Sequence, residues 1–205
     1  MDWFGANVRP GQTWLDVGAH YGYTAIALGR MVGSSGRVFA FEPVLDTASH
    51  LVKTVELNDL PQISVLPMGL GDTATFTSRQ LPTRRGMAED PACGAGKDVE
   101  VVQFVALDNI WPLLAGDDQR IDGVKIDVQG MELSTLTGMR QILGRQHPAL
   151  IVEFHHGVDR GAVLALFRSA GYSAHPWSIS TSTEASELVS DESYLFTLGA
   201  QLTKP

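Results

Sequence analysis

The sequence contains one cysteine, Cys93, among 205 residues. An intramolecular disulfide cannot form within these residues, and nothing in the cysteine usage points to an oxidising compartment. No second thiol or adjacent base accompanies Cys93, so we expect a bystander thiol and not a nucleophile.

Long hydrophobic runs are also missing. No apolar run approaches the roughly 18 residues that a membrane-spanning helix needs. The first residues, MDWFGANVRPGQ, lack the charged region and the apolar core of a signal peptide. We therefore expect no membrane partner and a cytoplasmic location.

Basic residues are scarce. The chain has 15 Lys and Arg against 23 Asp and Glu, a formal net charge of −8, and its nearest approach to a basic block is Arg84-Arg85. Nucleic-acid-binding proteins usually carry clustered basic charge, so we expect a small-molecule partner and no nucleic acid. A content of 44% hydrophobic and 19% charged residues is typical of a globular chain, and the length suits one domain over residues 1–205.

Short apolar segments alternate with amphipathic ones along much of the chain. This alternation is typical of a parallel sheet covered by helices. The predicted strands are Thr13–Val17, Arg37–Phe41, Ile63–Leu66, 123–128, 150–154, 172–175 and 194–198. The predicted helices are Tyr23–Val32, 47–58 capped by Asp46, 132–143, and a helix that Asp159 caps and that runs to residue 170. The sequence predicts a doubly wound, mostly parallel α/β sheet of about seven strands.

The middle of the chain, about residues 72–107, interrupts this rhythm. Segments 73–78 and 99–107 have the character of a β-ribbon, and segment 79–98 between them is rich in Gly, Pro and charge. A loop of this length inside a compact domain is usually functional or mobile. We interpret it as a flap near the active site, the alternative being a disordered insertion without function.

The turn after the first strand joins Asp16 to two glycines, Gly18 and Gly22. A dinucleotide fingerprint needs G-x-G-x-x-G, but Asp16 and Tyr21 stand where two of those glycines belong. A phosphate-binding loop would need a Gly-Lys-Ser/Thr sequence, which does not follow. A carboxylate next to a pyrophosphate would also be repelled. These features disfavour an NAD-dependent oxidoreductase.

A cationic nucleoside reverses that electrostatic argument. S-adenosylmethionine carries a sulfonium and an ammonium that Asp16 would favour, and the helix starting near Tyr23 offers N–H groups to its carboxylate. Glu42 ends the second strand, where a carboxylate can accept hydrogen bonds from ribose hydroxyls. Alternatively, both acids are solvated residues at strand ends. Because they follow consecutive strands, we predict S-adenosylmethionine as the cofactor.

Five stretches between Leu15 and His155 resemble a known family: "LDVGAHYGYTAIALGR", "GRVFAFEP", "VALDNI", "VKIDVQGMELSTLTGM" and "PALIVEFH". They are similar to the FkbM-type methyltransferases, within the class I S-adenosylmethionine-dependent enzymes. The resemblance implies a Rossmann-like seven-stranded sheet whose last strand is antiparallel. It also implies methyl transfer, usually to a hydroxyl oxygen.

The resemblance also implies roles for individual residues. Asp127 would face the methyl donor and the acceptor. Asp72 is not part of the resemblance; from its position after the third strand it would lie near the adenine or merely begin the ribbon. The remaining cofactor contacts would be Asp16, Gly18, His20, Tyr21, Gly22, Thr24, Glu42 and Pro43. Two features depart from the family pattern: Gln129 replaces the usual acid of "DVEG", and only about a dozen residues precede the first strand. We therefore expect either a more open site or a fragment of a longer chain.

Three residues are candidate catalytic groups. Asp127 shares a strand face with Lys125, so a structural ion pair is the alternative to a role as base. Glu153 and His155 follow another strand end, where His155 is a natural base but His155-His156 is also compatible with a solvated turn. Asp127 with Glu153 or His155 is compatible with a divalent metal, which we do not predict. Glu132, in the first turn of its helix, suits the helix dipole.

The sequence thus predicts O-methylation of a small molecule or sugar by a methyltransferase that uses S-adenosylmethionine. A binding module without turnover is the first alternative, and an oxidoreductase the weaker one. The oligomeric state stays open.

Overall fold

The structure is a computed structural model of the 205-residue chain, and it describes residues 2–80, 99–116, 119–173 and 176–198. Most of the expected flap, including Arg84-Arg85 and Cys93, lies outside the described residues. Within them no helix has both the length and the apolar character needed to cross a membrane.

The main sheet has eight strands in the described parts of the chain, in the spatial order β10-β9-β11-β8-β7-β1-β2-β3. Its strands are β1 (Thr13–Val17), β2 (Arg37–Phe41), β3 (Ile63–Leu66), β7 (Gly123–Ile126), β8 (Ala149–Phe154), β9 (Trp177–Ser178), β10 (Thr183–Glu184) and β11 (Glu192–Phe196). A second sheet contains β4 (Gly69–Leu70), β5 (Thr75–Gln80) and β6 (Val99–Val105). The helices are α1 (Asp2–Asn7), α2 (Tyr23–Val32), α3 (Leu45–Leu57), α4 (Leu107–Ala115), α5 (Glu132–Thr137), α6 (Arg140–Gln146) and α7 (Arg160–Ser169).

The predicted fold class is confirmed. Strands β3, β2, β1, β7 and β8 run parallel, and β11 pairs antiparallel with β8. The predicted strand over 172–175 is wrong in its described part, where Tyr172 forms only an isolated bridge with Leu198. The Ser/Thr-rich segment before β11 instead forms the two-residue strands β9 and β10, so the sheet has one strand more than expected. Strand order reverses at β1, between β2 and β7, and α/β sheets form ligand crevices at such a point.

Alternation along the strands builds a core on each face of the sheet. In β1, Leu15 and Val17 pack into the core that includes residues of α4 to α7, whereas Trp14 packs into the core beneath α2 and α3. Asp16 shares the face of Trp14, and its partner in the register of β7 is Lys125. The pleat therefore brings two opposite charges together under α2, at the carboxyl end of the sheet.

The expected β-ribbon is also present. Strands β5 and β6 pair antiparallel from Thr75↔Phe104 to Gln80↔Val99, and β4 joins β6 in parallel. Leu70 and Val105 are buried in the same core as α4 and α6. The ribbon is thus anchored beside the helices that follow it. The prediction of one domain over residues 1–205 stays a prediction.

The helix ends correct two predictions. Helix α3 begins at Leu45 after Val44, so the predicted Asp46 cap is wrong: Asp46 lies inside the first turn, 3.8 Å from the ring of His50. The helix expected over 132–143 is two helices: α5 ends at Thr137 and α6 begins at Arg140, and between them the carbonyl of Gly138 accepts a hydrogen bond of 2.9 Å from the amide of Asp108. A Cβ on Gly138 would lie 1.8 Å from the carbonyl oxygen of Gly71, so only glycine fits at this position.

The predicted cap of α7 is confirmed, since the Asp159 carboxylate accepts a hydrogen bond of 2.9 Å from the Ala162 amide. Helices α1 and α4 were not predicted. In α4, Leu107, Trp111 and Leu114 follow helical spacing and pack into the core, which is the signal that could have identified this helix.

Candidate functional site

A hollow of about 340 Å³ opens at the carboxyl ends of β1, β2 and β7. Ligand pockets usually measure about 300–1,000 Å³, so this hollow has the size of a small-molecule site. Seven of the predicted site residues line it: Gly18, His20, Tyr21, Thr24, Glu42, Pro43 and Asp127. Asp16, Gly22 and Asp72 were predicted with them but do not line it.

The loop after β1 forms the floor of the hollow, and its two glycines are dictated by geometry. Gly18 has φ +81°, and a Cβ there would lie 1.9 Å from the carbonyl oxygen of Asp127. Gly22 has φ +93°, and its Cβ would lie 2.2 Å from a methyl group of Leu51. The Gly18 amide also donates to the carbonyl of Phe41 at 3.0 Å. The loop is therefore fixed against both neighbouring strands.

A Gly18→Ala substitution is expected to lower the free energy of unfolding by more than Gly157→Ala does. The two glycines have nearly equal positive φ, +81° and +83°, which costs an alanine about 1–2 kcal/mol. Gly18 also has backbone in the path of the new methyl group, whereas nothing lies within 4 Å of a Cβ on Gly157. Urea unfolding of the two variants measures the difference. Equal losses of unfolding free energy in the two variants would show that the backbone at Asp127 shifts without a free-energy cost.

Glu42 stands at the rim as predicted for an acid at the end of the second strand. It is 5% exposed, and its Oε2 and Oε1 accept hydrogen bonds from the amides of His20 at 2.9 Å and Val44 at 3.0 Å. Burial raises the pKa of Glu42, and these two hydrogen bonds oppose the rise. Because each carboxylate oxygen has two acceptor positions, Glu42 can still accept bonds from a ligand.

Asp16 lies beneath the hollow instead of on its wall. It is fully buried, neither carboxylate oxygen has a hydrogen-bond partner among the described residues, and the ammonium of Lys125 lies 3.8 Å from Oδ1. Burial raises the pKa of Asp16, and Lys125 opposes the rise. Asp16 is therefore placed to act on the hollow through its charge and through Lys125.

Lys125 links Asp16 to Asp127. Its side chain is 13% exposed, it lines the hollow, and its Nζ lies 2.9 Å from Oδ2 of Asp127. Burial lowers the pKa of Lys125, but the two carboxylates raise it by more, so the net direction is upward. The ion pair that was the alternative interpretation of Asp127 is thus present. The ion pair uses Oδ2 of Asp127, and Oδ1 faces the ring of His155.

The three predicted catalytic residues meet at the ends of β7 and β8. Nε2 of His155 lies 3.5 Å from Oδ1 of Asp127 and 3.9 Å from Oε1 of Glu153. One ligand atom from each residue lies within 4.8 Å of the others, a spacing that can hold a metal ion. The ammonium of Lys125, already bound to Asp127, supplies positive charge at the same place.

Two residues that were not among the predicted site residues complete this cluster. Glu132 is fully buried, and its Oε1 lies 2.7 Å from Nδ1 of His155, where only an effect on the helix dipole was expected. Gln129 has φ +52°, and its side-chain amide lies 2.8 Å from Nε2 of His155. Both residues belong to the "VKIDVQGMEL" stretch, but no spacing rule connects them with a residue more than 20 positions away.

Asp72 is an exposed turn residue outside the hollow. Its amide donates to the hydroxyl of Ser134 at 3.1 Å, and that hydroxyl donates to Asp72 Oδ1 at 3.2 Å. These bonds fasten the start of the ribbon to α5. They favour the structural interpretation of Asp72 over a contact with adenine.

The chain is similar to known methyltransferases in sequence and in fold. Haloferax volcanii has a relative named hexuronic acid methyltransferase AglP, which is 27% identical over 180 residues, covering 88% of this chain and 67% of the relative.

Two solved structures share the fold. Methyltransferase FkbM from Methylobacillus flagellatus matches with a TM-score of 0.62 at 16% identity; the match covers 96% of this chain, which spans only 50% of that protein. An rRNA methylase from Streptococcus thermophilus matches with a TM-score of 0.55 at 10% identity, covering 96% of this chain and 93% of the other. Other proteins of this fold have been solved with bound S-adenosylmethionine or S-adenosylhomocysteine.

The domain described as the methyltransferase FkbM domain matches residues 16–174, from the loop of the hollow to the end of the segment after α7. This match spans well over half of the chain and contains every predicted site residue. The chain therefore belongs to the FkbM methyltransferase family.

Proposed function

We propose that this protein transfers the methyl group of S-adenosylmethionine to a hydroxyl oxygen of a sugar or another small molecule. The observation that carries the proposal is the junction at Asp127: this residue lines the hollow and also contacts the cluster around His155. A methyl donor in the hollow and a base in the cluster would therefore lie side by side.

The residues of the hollow suit this cofactor. Two carboxylates, Glu42 and Asp127, line the hollow and a third, Asp16, lies beneath it, against the single ammonium of Lys125. This balance favours a cation. Helix α2 begins after Gly22, which has no side chain to cap it, and Tyr23 and Thr24 of its first turn line the hollow, so their amides are placed to bind a carboxylate.

Bound S-adenosylmethionine would supply an electrophilic methyl group on a sulfonium, whose departure as a neutral thioether needs no acid. The chain must then hold the acceptor hydroxyl in line with that methyl group and take up its proton. Positioning alone accounts for a large share of the rate in such reactions. A base within hydrogen-bond reach adds about 10²–10⁴-fold.

The relative named for hexuronic acid supports a sugar as the acceptor. Sugars present hydroxyls that Asp127 and Glu153, which are 26% and 30% exposed, can bind as acceptors. The expectation that nucleic acid is not the acceptor stays a prediction, because an rRNA methylase shares the fold.

Calorimetric titration of the purified chain is expected to detect binding of S-adenosylmethionine and none of NAD. Glu42→Gln should weaken that binding by about tenfold or more, because the amide replaces one of two acceptor oxygens that serve both loop and ligand. Glu56→Gln, an exposed position on α3, is the matched control and should bind as the parent chain does. Unchanged affinity in Glu42→Gln would remove the ribose role of Glu42.

A labelled methyl donor with a panel of uronic acids, neutral sugars and phenols tests the transfer itself. Label that enters an acceptor and forms a base-stable methyl ether supports the proposal. Cofactor binding without transfer to any acceptor would favour the binding module, and binding of NAD would favour the oxidoreductase.

A further inference from the structure

The imidazole of His155 is held on both of its nitrogens. On one side Nδ1 lies 2.7 Å from Oε1 of Glu132, and on the other Nε2 lies 2.8 Å from the amide of Gln129. The His155 side chain is 11% exposed. A ring with two such bonds and little contact with water has a fixed orientation.

The partners of the ring also define which nitrogen carries the proton. An ionised carboxylate only accepts hydrogen bonds, so Glu132 requires a proton on Nδ1. The side-chain N–H of Gln129 can only donate to Nε2, so Nε2 carries no proton and its lone pair accepts this hydrogen bond. The same tautomer satisfies both contacts.

Glu132 is itself fixed in place. Its carboxylate is fully buried, and Oε1 also accepts a hydrogen bond of 3.2 Å from the amide of Gly130. No hydrogen-bond partner of Oε2 lies among the described residues. A buried, incompletely bonded carboxylate costs stability, so its place behind the ring calls for a functional reason.

We propose that Glu132 is a positioning residue that holds His155 as the general base of methyl transfer, with Nε2 as the proton acceptor. This inference rests on the proposed function. Neither residue lines the cofactor hollow, whereas Asp127, 3.5 Å from Nε2, does. The acceptor hydroxyl would take the place of the Gln129 amide at Nε2, beside Asp127.

Protons and electrons balance in the proposed methyl transfer. The O–H bond of the acceptor breaks and its proton moves to Nε2 of His155, while the oxygen forms its new bond to the methyl carbon. The electron pair of the broken carbon–sulfur bond stays on sulfur. The carboxylate of Glu132 stabilises the resulting imidazolium, which later releases its proton to water.

Nitrogen-15 NMR of the histidine rings tests this arrangement in the protein without ligands. The six histidines of the chain are distinguished by comparison with a His155→Gln sample. In the neutral form of the His155 ring we expect the proton on Nδ1 and none on Nε2. In Glu132→Gln the amide can donate to Nδ1, so a signal of the Nε2–H tautomer should appear. A ring protonated at Nε2 in the parent chain would overturn the inference.

Kinetics supply the second readout. Glu132→Gln is expected to lower kcat by roughly 10²-fold or more, with KM for S-adenosylmethionine unchanged, because an amide favours the wrong tautomer and cannot balance the imidazolium. Glu56→Gln should leave both constants unchanged. A rise in KM with unchanged kcat would contradict a role in proton transfer.

The outcomes separate this inference from the proposed function. If no hydroxyl acceptor in the panel is methylated, the proposed function fails; if acceptors are methylated and the ring has the other tautomer, only the role of the Glu132–His155 pair fails. Addition of diamagnetic Zn²⁺ that shifts the Nε2 resonance of His155 through direct coordination would also overturn the inference, because Nε2 would then be a metal ligand.

Discussion

Substitution of His155 by glutamine is expected to lower kcat for methyl transfer by about 10²–10⁴-fold, the contribution of a general base. Glutamine retains a hydrogen-bonding side chain but offers no nitrogen lone pair for the proton. Affinity for S-adenosylmethionine should stay unchanged, because His155 does not line the hollow. Steady-state kinetics and calorimetry on the same preparation measure the two effects.

Comparison of Asp127→Asn with His155→Gln shows which of the two residues is the base. Asp127 lines the hollow and pairs with Lys125, so its substitution should affect cofactor binding as well as turnover. We expect turnover to fall more than affinity. If His155→Gln retains the parent kcat and Asp127→Asn does not, Asp127 is the base and the role given to His155 is wrong.

Replacement of Lys125 by methionine is expected to destabilise the fold by about 3–5 kcal/mol at pH 8. Methionine keeps most of the apolar stem but removes the cation that lies 3.8 Å from the fully buried Asp16 and 2.9 Å from Asp127. Breaking a buried pair by removing one partner leaves an uncompensated charge, which costs far more than the loss of a surface pair. Urea unfolding measures the loss, with exposed Lys53→Met as the control.

The loss of unfolding free energy in Lys125→Met should depend on pH. Since the folded-state pKa of Asp16 is raised, the folded protein holds a proton that the unfolded chain releases, and stability falls as pH rises from about 3.8 through the raised value. Without Lys125 the charged form costs more, so the penalty should be largest at pH 8 and shrink at pH 5. The raised pKa of Lys125 keeps its own contribution fully present at both values, below 10.5.

A double variant, Asp16→Asn with Lys125→Met, separates charge from packing. It should recover much of the stability that Lys125→Met loses, because position 16 then has no carboxylate that needs the Lys125 ammonium. A double variant as unstable as Lys125→Met would mean that the ammonium stem, and not the ion pair, stabilises this part of the sheet.

Local patterns were sufficient for most of the fold. The bounds of β1, β2, β3 and α2 follow from short apolar runs that end in an acid, a glycine or a turn. The Asp46 cap was wrong because two residues before it already adopt helical or capping geometry, which local preference does not report. Gly138, between α5 and α6, lies against the backbone of Gly71, more than 60 residues away, a contact that local spacing does not report.

Some residues of the site were likewise predictable from the sequence, and others were not. The acids at the ends of β1 and β2 were identified because residue type and strand end coincide, and Glu42 does line the hollow. Asp16 does not, since the pleat turns it under the loop towards Lys125. The pairing of Glu132 with His155 joins a helix start to a strand end, and sequence periodicity extends along one element only.

The sequence by itself determined the alternation of strands and helices, the acids and glycines at the carboxyl edge and the family to which the chain belongs, because these depend on residue type and spacing within short segments. Only the tertiary structure decided which charged groups face each other. Contacts such as Lys125 with Asp16, and Glu132 with His155, depend on strand register and helix packing, which bring together residues distant along the chain.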